Sequence, residues 1–446
     1  MIPAVTTVTL KEWEVLSPDS HSELVGRSLL GESDRRLVDE LASLGKIQVT
    51  ELRSGLMIRA FSHVGRIRLG DLEIVVHPKL DQQSLLELLR YAYGFRQLKL
   101  LPRTTQQVDQ SGFGDLLVSQ LLAEIRELIA RGLHRTYVPR DEWLSALRGR
   151  IDIGRLAADG GVITASLPCT YHPRVEDSLV NRVILAGLEL AARLAGDIHL
   201  RRDARRLASL LAEGVFPIRL DGEVLETCAR SANRLTVAYE AALVLVRLLW
   251  EAQGVTFSQD KAELRLPGFL FDMNRFFQAL LSRFLHENLP GYTVRDEQRL
   301  RGMLQFVPGF NPRRRRPPTP RPDFVLLRGG RQVAVLDAKY RDLWEMPLPR
   351  EMLYQLAMYA IADKRRTATI LFPTLDPRAS EARIQVQDAM FGRHMAQVVL
   401  RPIVLPAMQA LLSRGSSPTL ARRKHAFAEW LVYGDADPAS GDHLRV

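Results

Sequence analysis

A chain of 446 residues with 46% apolar and 25% charged side chains carries enough apolar surface for two or three cores, which excludes a wholly disordered or fibrous protein. Its 61 Lys and Arg against 51 Asp and Glu leave a net charge of +10, a balance that draws polyanions, nucleic acid first among them, although it also serves plain solubility. The two cysteines, Cys169 and Cys228, lack the spacing of a disulfide framework or zinc site, and the longest apolar run, Ala241 to Trp250, is broken by Arg247 and too short to cross a bilayer. Met1 to Leu10 has no basic segment followed by an apolar stretch, so no membrane contact and a cytoplasmic location are expected.

In chain order, apolar and polar residues alternate from Lys46 to Lys79, with Gly70-Asp71 between two runs and Pro78 closing the second, which predicts a small β-rich domain over 1–80. The stretches Gln83 to Tyr93, Phe113 to Gly132, Ser178 to Ala195 and Asn233 to Ala252 carry Leu, Ile and Ala at spacings of three and four, so a mainly helical middle region is expected over 81–265. Inside it the polar segment Tyr137 to Val175 has one short strand candidate, Gly149 to Gly154. Pro267-Gly268 marks the next boundary. Over 266–413 the pattern predicts a helix opening at Phe271 and ending near Asn288, strands at Tyr292 to Val294, Leu304 to Val307, Asp323 to Leu327 and Gln332 to Lys339, a helix from Pro349 to Ala362, and a strand from Thr367 to Phe372. The expected fold class is therefore multidomain α/β, closed by a polar tail over 414–446 with one helix, Leu420 to Val432.

The chemistry concentrates in two apolar strands joined through Arg328-Gly329-Gly330-Arg331. Side chains alternate along a strand, so Asp337 and Lys339 project from one face and Ala338 from the other. A strict two-residue loop at Gly329-Gly330 would set Asp323 opposite Leu336, so bringing Asp323 to the face of Asp337 requires a bulge or a three-residue turn. Charged groups in such strands are costly unless paired, exposed or metal-bound. Asp323 and Asp337, with the carbonyl of Ala338, suit a hard cation, Mg2+ with Mn2+ as a substitute, and Lys339 suits the handling of an attacking water in phosphodiester hydrolysis. The plain alternative is a salt bridge at the exposed end of a sheet. Gln355 and Tyr359, four apart on the following helix, share a face that can turn toward this site, or Tyr359 is ordinary core. Arg313, Arg314, Arg315 and Arg316, between prolines shortly before Asp323, form a basic loop suited to phosphate contact, or simply a solvated one. The whole is the pattern of a PD-(D/E)xK, restriction-endonuclease-like domain.

Pro322-Asp323, then Leu336-Asp337-Ala338-Lys339-Tyr340-Arg341, then Gln355 and Tyr359, resemble the McrC nuclease-subunit family of McrBC-type, 5-methylcytosine-dependent restriction systems. Further landmarks agree: Val64-Gly65-Arg66-Ile67, Pro78-Lys79, Leu147 to Ile151, Glu176 to Arg182 and Phe271-Asp272-Met273-Asn274, so that the likeness runs from about Lys46 to Arg401. The resemblance implies an anti-phage DNA endonuclease that docks on a hexameric AAA+ GTPase of McrB type, stimulates its hydrolysis, and cuts double-stranded, modified DNA after translocation. It also implies that the residues before about Leu80 reach the motor. No Gly-x-x-x-x-Gly-Lys-Ser/Thr loop occurs here, so nucleotide binding falls to that partner. The resemblance also implies a glutamate on the first nuclease helix in many family members, where this chain has Gln278. Two other readings compete: a regulatory subunit with a dispensable nuclease site, and a stand-alone RecB-like repair nuclease.

Overall fold

The computed structural model describes residues 6–29, 31–95, 113–159, 165–231, 233–253, 268–413 and 417–434; the expected boundary at Pro267 and the end of the tail lie outside them. The first strands are β1 (Thr6–Lys11), β2 (Val15–Leu16), β3 (Ile47–Leu52), β4 (Gly55–Ala60), β5 (His63–Leu69) and β6 (Leu72–His77), with helix α1 (Glu32–Ser43) between β2 and β3. The alternation read over 46–79 becomes β3 to β6, and its apolar set, with Val8, Leu10 and Leu41, fills one core. Two sheets share it, of order β2-β4-β3 and β1-β6-β5-β12, where β12 is Gly268–Asp272. Residues 268–272, read from sequence as the opening of the last domain, thus add a fourth strand to the first sheet. Gly65 makes that possible: at φ +139° it lets the backbone of Phe269 approach where a Cβ would lie 2.0 Å from the carbonyl oxygen.

Helices α2 (Gln82–Tyr93), α3 (Phe113–Arg131), α4 (Ile153–Ala158), α5 (Leu179–Leu194), α6 (Ile198–Ala212), α7 (Gly222–Arg230) and α8 (Glu240–Ala252) follow. Leu117, Leu121, Ile184, Leu188 and Leu245, at helical spacing, are fully enclosed where α3, α5 and α8 meet. The polar segment between α3 and α5 holds more strand than the single one expected: β7 (Thr136–Tyr137) pairs with β11 (Arg174–Val175), and β8 (Arg140–Leu144), β10 (Leu167–Tyr171) and β9 (Arg150–Ile151) form a small sheet.

The last sheet has the order β13-β14-β15-β16-β18-β17, built from β13 (Tyr292–Asp296), β14 (Phe324–Arg328), β15 (Arg331–Ala338), β16 (Thr367–Thr374), β17 (Ala382–Gln387) and β18 (His394–Val404). β13, β14 and β15 run antiparallel, whereas β15, β16 and β18 are parallel, with α10 (Arg350–Ala362) carrying the chain from β15 to β16. On one face Val335, Ile370 and Val398 pack under Leu356 and Tyr359 of α10. On the other, Phe324, Leu326 and Leu336 join a core with Phe277 and Leu281 of α9 (Met273–Asn288) and Leu431 of α12 (Pro418–Tyr433), which follows α11 (Leu405–Ser413). The helix expected in the tail is therefore docked: Phe427 meets Phe284 edge-on at 5.6 Å, and the buried Arg401 donates to the Leu431 carbonyl at 2.7 Å and pairs with Glu381 at 2.6 Å.

One expected strand is absent. Leu304 to Val307 lies in the irregular excursion between β13 and β14, where Phe306 and Val307 are exposed, so its apolar character serves no sheet. β18 went unread because Arg401 and Pro402 interrupt an otherwise apolar run, and β17 because it is a short, largely exposed edge strand; Arg401 is tolerated through its partners Leu431 and Glu381.

Candidate active site

The hairpin places the charged groups. Gly329 and Gly330, at φ +57° and +76°, make the two-residue turn with left-handed backbone that matches strand twist, pairing Arg328 with Arg331 and Leu327 with Gln332. The register then shifts between Leu326 and Leu327: Leu326 faces Ala334 and Phe324 faces Leu336, so one extra residue is accommodated in β15. One step further along this register, Asp323 stands beside Asp337. The bulge that the sequence demanded is present, and it is what puts the two acids on one face.

Lys339 closes the group, its ammonium 2.8 Å from Asp337 Oδ2 and 3.8 Å from Asp323 Oδ2. The Ala338 N–H donates to Asp323 Oδ2 at 2.7 Å, and the side-chain amide of Gln278 on α9 donates to Asp323 Oδ1 at 3.2 Å. Asp337 is 1% exposed, and its Oδ2 has no hydrogen bond of good geometry, only the neighbouring ammonium. Burial first, then the Asp337 charge, push the Asp323 carboxyl up to about 7 against the pull of Lys339 and the Ala338 N–H. Burial works against the charge on Lys339, yet Asp337 and Asp323 outweigh it and hold the ammonium above its ordinary pKa. The arrangement is an ion pair, but not the exposed one of the plain alternative.

Tyr359 is a core residue whose hydroxyl looks into the site: burial raises its pKa, Asp337 adds to this, and the hydroxyl accepts from the Arg321 backbone N–H and from Gln355 Nε2, the latter at 2.8 Å. Gln355 is exposed and touches the group only through Tyr359. Arg313 to Arg316 are all exposed, on a loop pinned by Asn311 to Arg315 and closed at its base by the Leu300 N–H to Pro320 carbonyl bond of 2.9 Å. The loop starts and ends beside Asp323, since the Glu297 N–H donates to the Asp323 carbonyl at 2.8 Å.

Other residues were not legible as site residues. Asn274 of α9 accepts the Tyr340 N–H at 3.2 Å and donates to Ser62 Oγ, tying the segment after Lys339 to the amino-terminal unit. The Tyr340 hydroxyl donates to Glu12 at 2.9 Å, and Glu12, 1% exposed, also accepts the Lys79 N–H at 2.7 Å. Trp13, at φ +66°, and Glu12 lie at the sharp turn after β1, 328 residues from Tyr340 in sequence, so no local pattern joins them. Among the described residues no three His, Cys, Asp or Glu side chains converge to hold an ion.

The family described as McrBC 5-methylcytosine restriction system component matches residues 58–373, well over half the chain. The chain belongs to the McrBC family. The McrBC match takes in Asp323, Asp337, Lys339, Gln355 and Tyr359, and leaves β1 to β3 with α1, and β17, β18 and the last two helices, outside. A chain of the refined half-complex from a tetradecameric assembly of Thermococcus gammatolerans McrB AAA+ hexamers with bound McrC aligns over 94% of this chain and 99% of its own, with a TM-score of 0.57 at 20% identity, a likeness of fold. The cryo-EM structure of the Thermococcus gammatolerans McrBC complex aligns over 64% of this chain and 88% of its own, at a TM-score of 0.44 and 21% identity, too loosely to carry an argument. No curated protein matches. No helix among the described residues is long and apolar enough to cross a membrane.

Proposed function

We propose that this McrBC-family chain is the nuclease subunit of its system, a Mg2+-dependent DNA endonuclease of the PD-(D/E)xK type that works docked on a hexameric AAA+ GTPase. The observation that carries the reading is the bulged hairpin, which spends a register shift to bring two carboxylates and an ammonium together under cover. The partner is inferred from the structural neighbour, McrB AAA+ hexamers with bound McrC, and a DNA substrate carrying 5-methylcytosine from the matching family.

The residues fit a hard cation. A buried Asp337 whose Oδ2 has the Lys339 ammonium as its one partner among the described residues, and an Asp323 carboxyl pushed up to about 7, are both suited to a divalent ion, and Mg2+ accepts few protein ligands because it keeps its waters. Asp323 and Asp337 would hold it, with the Ala338 carbonyl, which leaves β15 on the side where its N–H meets Asp323. Such an ion neutralises charge on the reacting phosphate and lowers the pKa of an attacking water. Lys339, held charged by its neighbours, donates to the nucleophile or to a phosphate oxygen rather than taking a proton. Tyr359 and Gln355 fix the wall beside it, and Gln278 steadies the second oxygen of Asp323 as an amide where relatives place an acid.

One observation favours a second reading. With Gln278 in place of a third acid, the chain has a sparse ligand set, as a regulatory subunit with a weak site would. Asp337→Ala separates the two: as a nuclease subunit the chain loses DNA cleavage while stimulation of the partner GTPase persists, whereas cleavage that survives the substitution leaves the regulatory reading. Cleavage of bare DNA by the purified chain alone, without a motor, points instead to a stand-alone nuclease.

A further inference from the structure

Along the same face of the sheet as the acid pair lies an open cavity of about 470 Å3, lined by Arg295, Arg299 and Arg301 together with Val325, Leu327 and Gln332. Arg295 pairs across the sheet with Val325. Val325 and Leu327 stand two and four residues from Asp323 on its side of β14, so the cavity floor extends from roughly 7 to 13 Å from the acids. The segment after β13 forms its wall. Leu300 packs into the core under α10, and the Arg301 N–H and the Gln298 amide both bond the Arg299 carbonyl, at 3.0 and 3.3 Å, which leaves Arg299 and Arg301 on either side of that anchor.

None of the three guanidiniums has a carboxylate partner among the described residues. The acids closest in sequence are engaged elsewhere, Glu297 with Arg321 and Asp296 with the Ser282 hydroxyl. Like charges gathered in one concave site repel one another until an anion joins them, and guanidinium forks match phosphate oxygens in particular.

We propose that this cavity is a phosphate site for the DNA strand being cut, holding a backbone phosphate one or two nucleotides from the scissile one, since successive phosphates of a strand stand apart by roughly twice the axial rise of about 3.4 Å. It is separate from the exposed Arg313–Arg316 loop, and it rests on the reading of the acid pair as a nuclease centre. Its work is to hold the strand in register, so that the scissile phosphate meets Asp323, Asp337 and Lys339.

The test uses the full chain carrying Asp337→Asn, so that DNA stays intact, and duplex binding followed by anisotropy between 50 and 200 mM salt. Adding Arg295→Ala, Arg299→Ala and Arg301→Ala weakens binding about tenfold or more and lowers the slope of log affinity against log salt by about 1, the share of one phosphate. The corresponding triple Lys variant keeps the slope, which separates lost charge from a damaged fold. A single neutral methylphosphonate one or two nucleotides from the cut weakens the parent and leaves the triple Ala variant unmoved. Equal affinity and slope for parent and triple Ala, or no duplex binding by the parent, overturns the proposal. Absence of Mg2+-dependent strand breaks from the unsubstituted chain with its partner sinks the nuclease reading instead, and the salt slopes still report on the arginines.

Discussion

Asp323 and Asp337 are like charges held side by side with little water between them, and the cost shows in Asp323, whose carboxyl is pushed up to about 7. Between its ordinary range near 4 and that value, the folded chain holds a proton that the unfolded chain has lost, so this group's contribution to stability is present at acid pH and disappears as pH rises through about 7. A divalent ion must displace the proton. Mg2+ or Mn2+ binding near pH 6 is therefore expected to release close to one proton per ion, falling toward none above pH 8, as read by calorimetry in buffers of different ionisation enthalpy. Binding without proton release contradicts that arrangement. Lys339 occupies part of the space that a cation needs, so Lys339→Gln is expected to tighten metal binding while lowering cleavage by ~100-fold or more. A loss of both would make Lys339 a structural residue. At this scale much was legible in the sequence: spacing of two fixes Asp337 and Lys339, and the glycine turn forces the question of register. Gln278 was noticed only through resemblance, because nothing in a helical Phe-Phe-Gln-Ala run marks a glutamine that reaches another element.

The elements show how the site is braced. β15 delivers Asp337 and Lys339 and then runs directly into Tyr340, which is held by Glu12 from the turn after β1 and by Asn274 from α9. The amino-terminal unit is thus bonded to the residue next to Lys339. Burial pushes Glu12 up to about 7, so its contribution to stability is present below pH 4.5 and lost as pH rises through about 7, a change of a few kcal/mol. Glu12→Gln, which mimics the protonated acid, is expected to match the parent in melting temperature at pH 5 and to exceed it at pH 8. A parent whose melting temperature keeps step with the variant across that range shows that Glu12 is not the strained acid. None of this contact was readable: an edge strand rich in threonine, far from the chemistry in sequence, gives no sign of a buried acid beyond it. The strong periodicities, β3 to β6 and α2, α3, α5 and α8, were plain because each buries a single face. The strand β18 hides its character behind Arg401, which is accommodated by the Leu431 carbonyl of α12 and by Glu381.

For the whole molecule, the net charge of +10 acquires a location. Four exposed arginines ride on the excursion beside Asp323 and three more line the neighbouring cavity, so part of the basic surface lies close to the acids. Neutralising Arg313 to Arg316 together is expected to weaken duplex binding strongly at 50 mM salt and little at 200 mM, while leaving the melting temperature unchanged; a fold that fails instead would make the loop a structural brace. Charge balance alone pointed toward a polyanion, but only the fold shows where one would lie. The central claim is that Asp323, Asp337 and Lys339 hydrolyse DNA with Mg2+ when the chain works with its AAA+ partner. Strand breakage in a 5-methylcytosine duplex, by the chain together with its GTPase motor and GTP, in Mg2+ and then in a chelator, tests it most directly. The account predicts breaks that need both the ion and the partner; intact DNA at every Mg2+ concentration, while the motor's GTP hydrolysis is plainly stimulated, would contradict it.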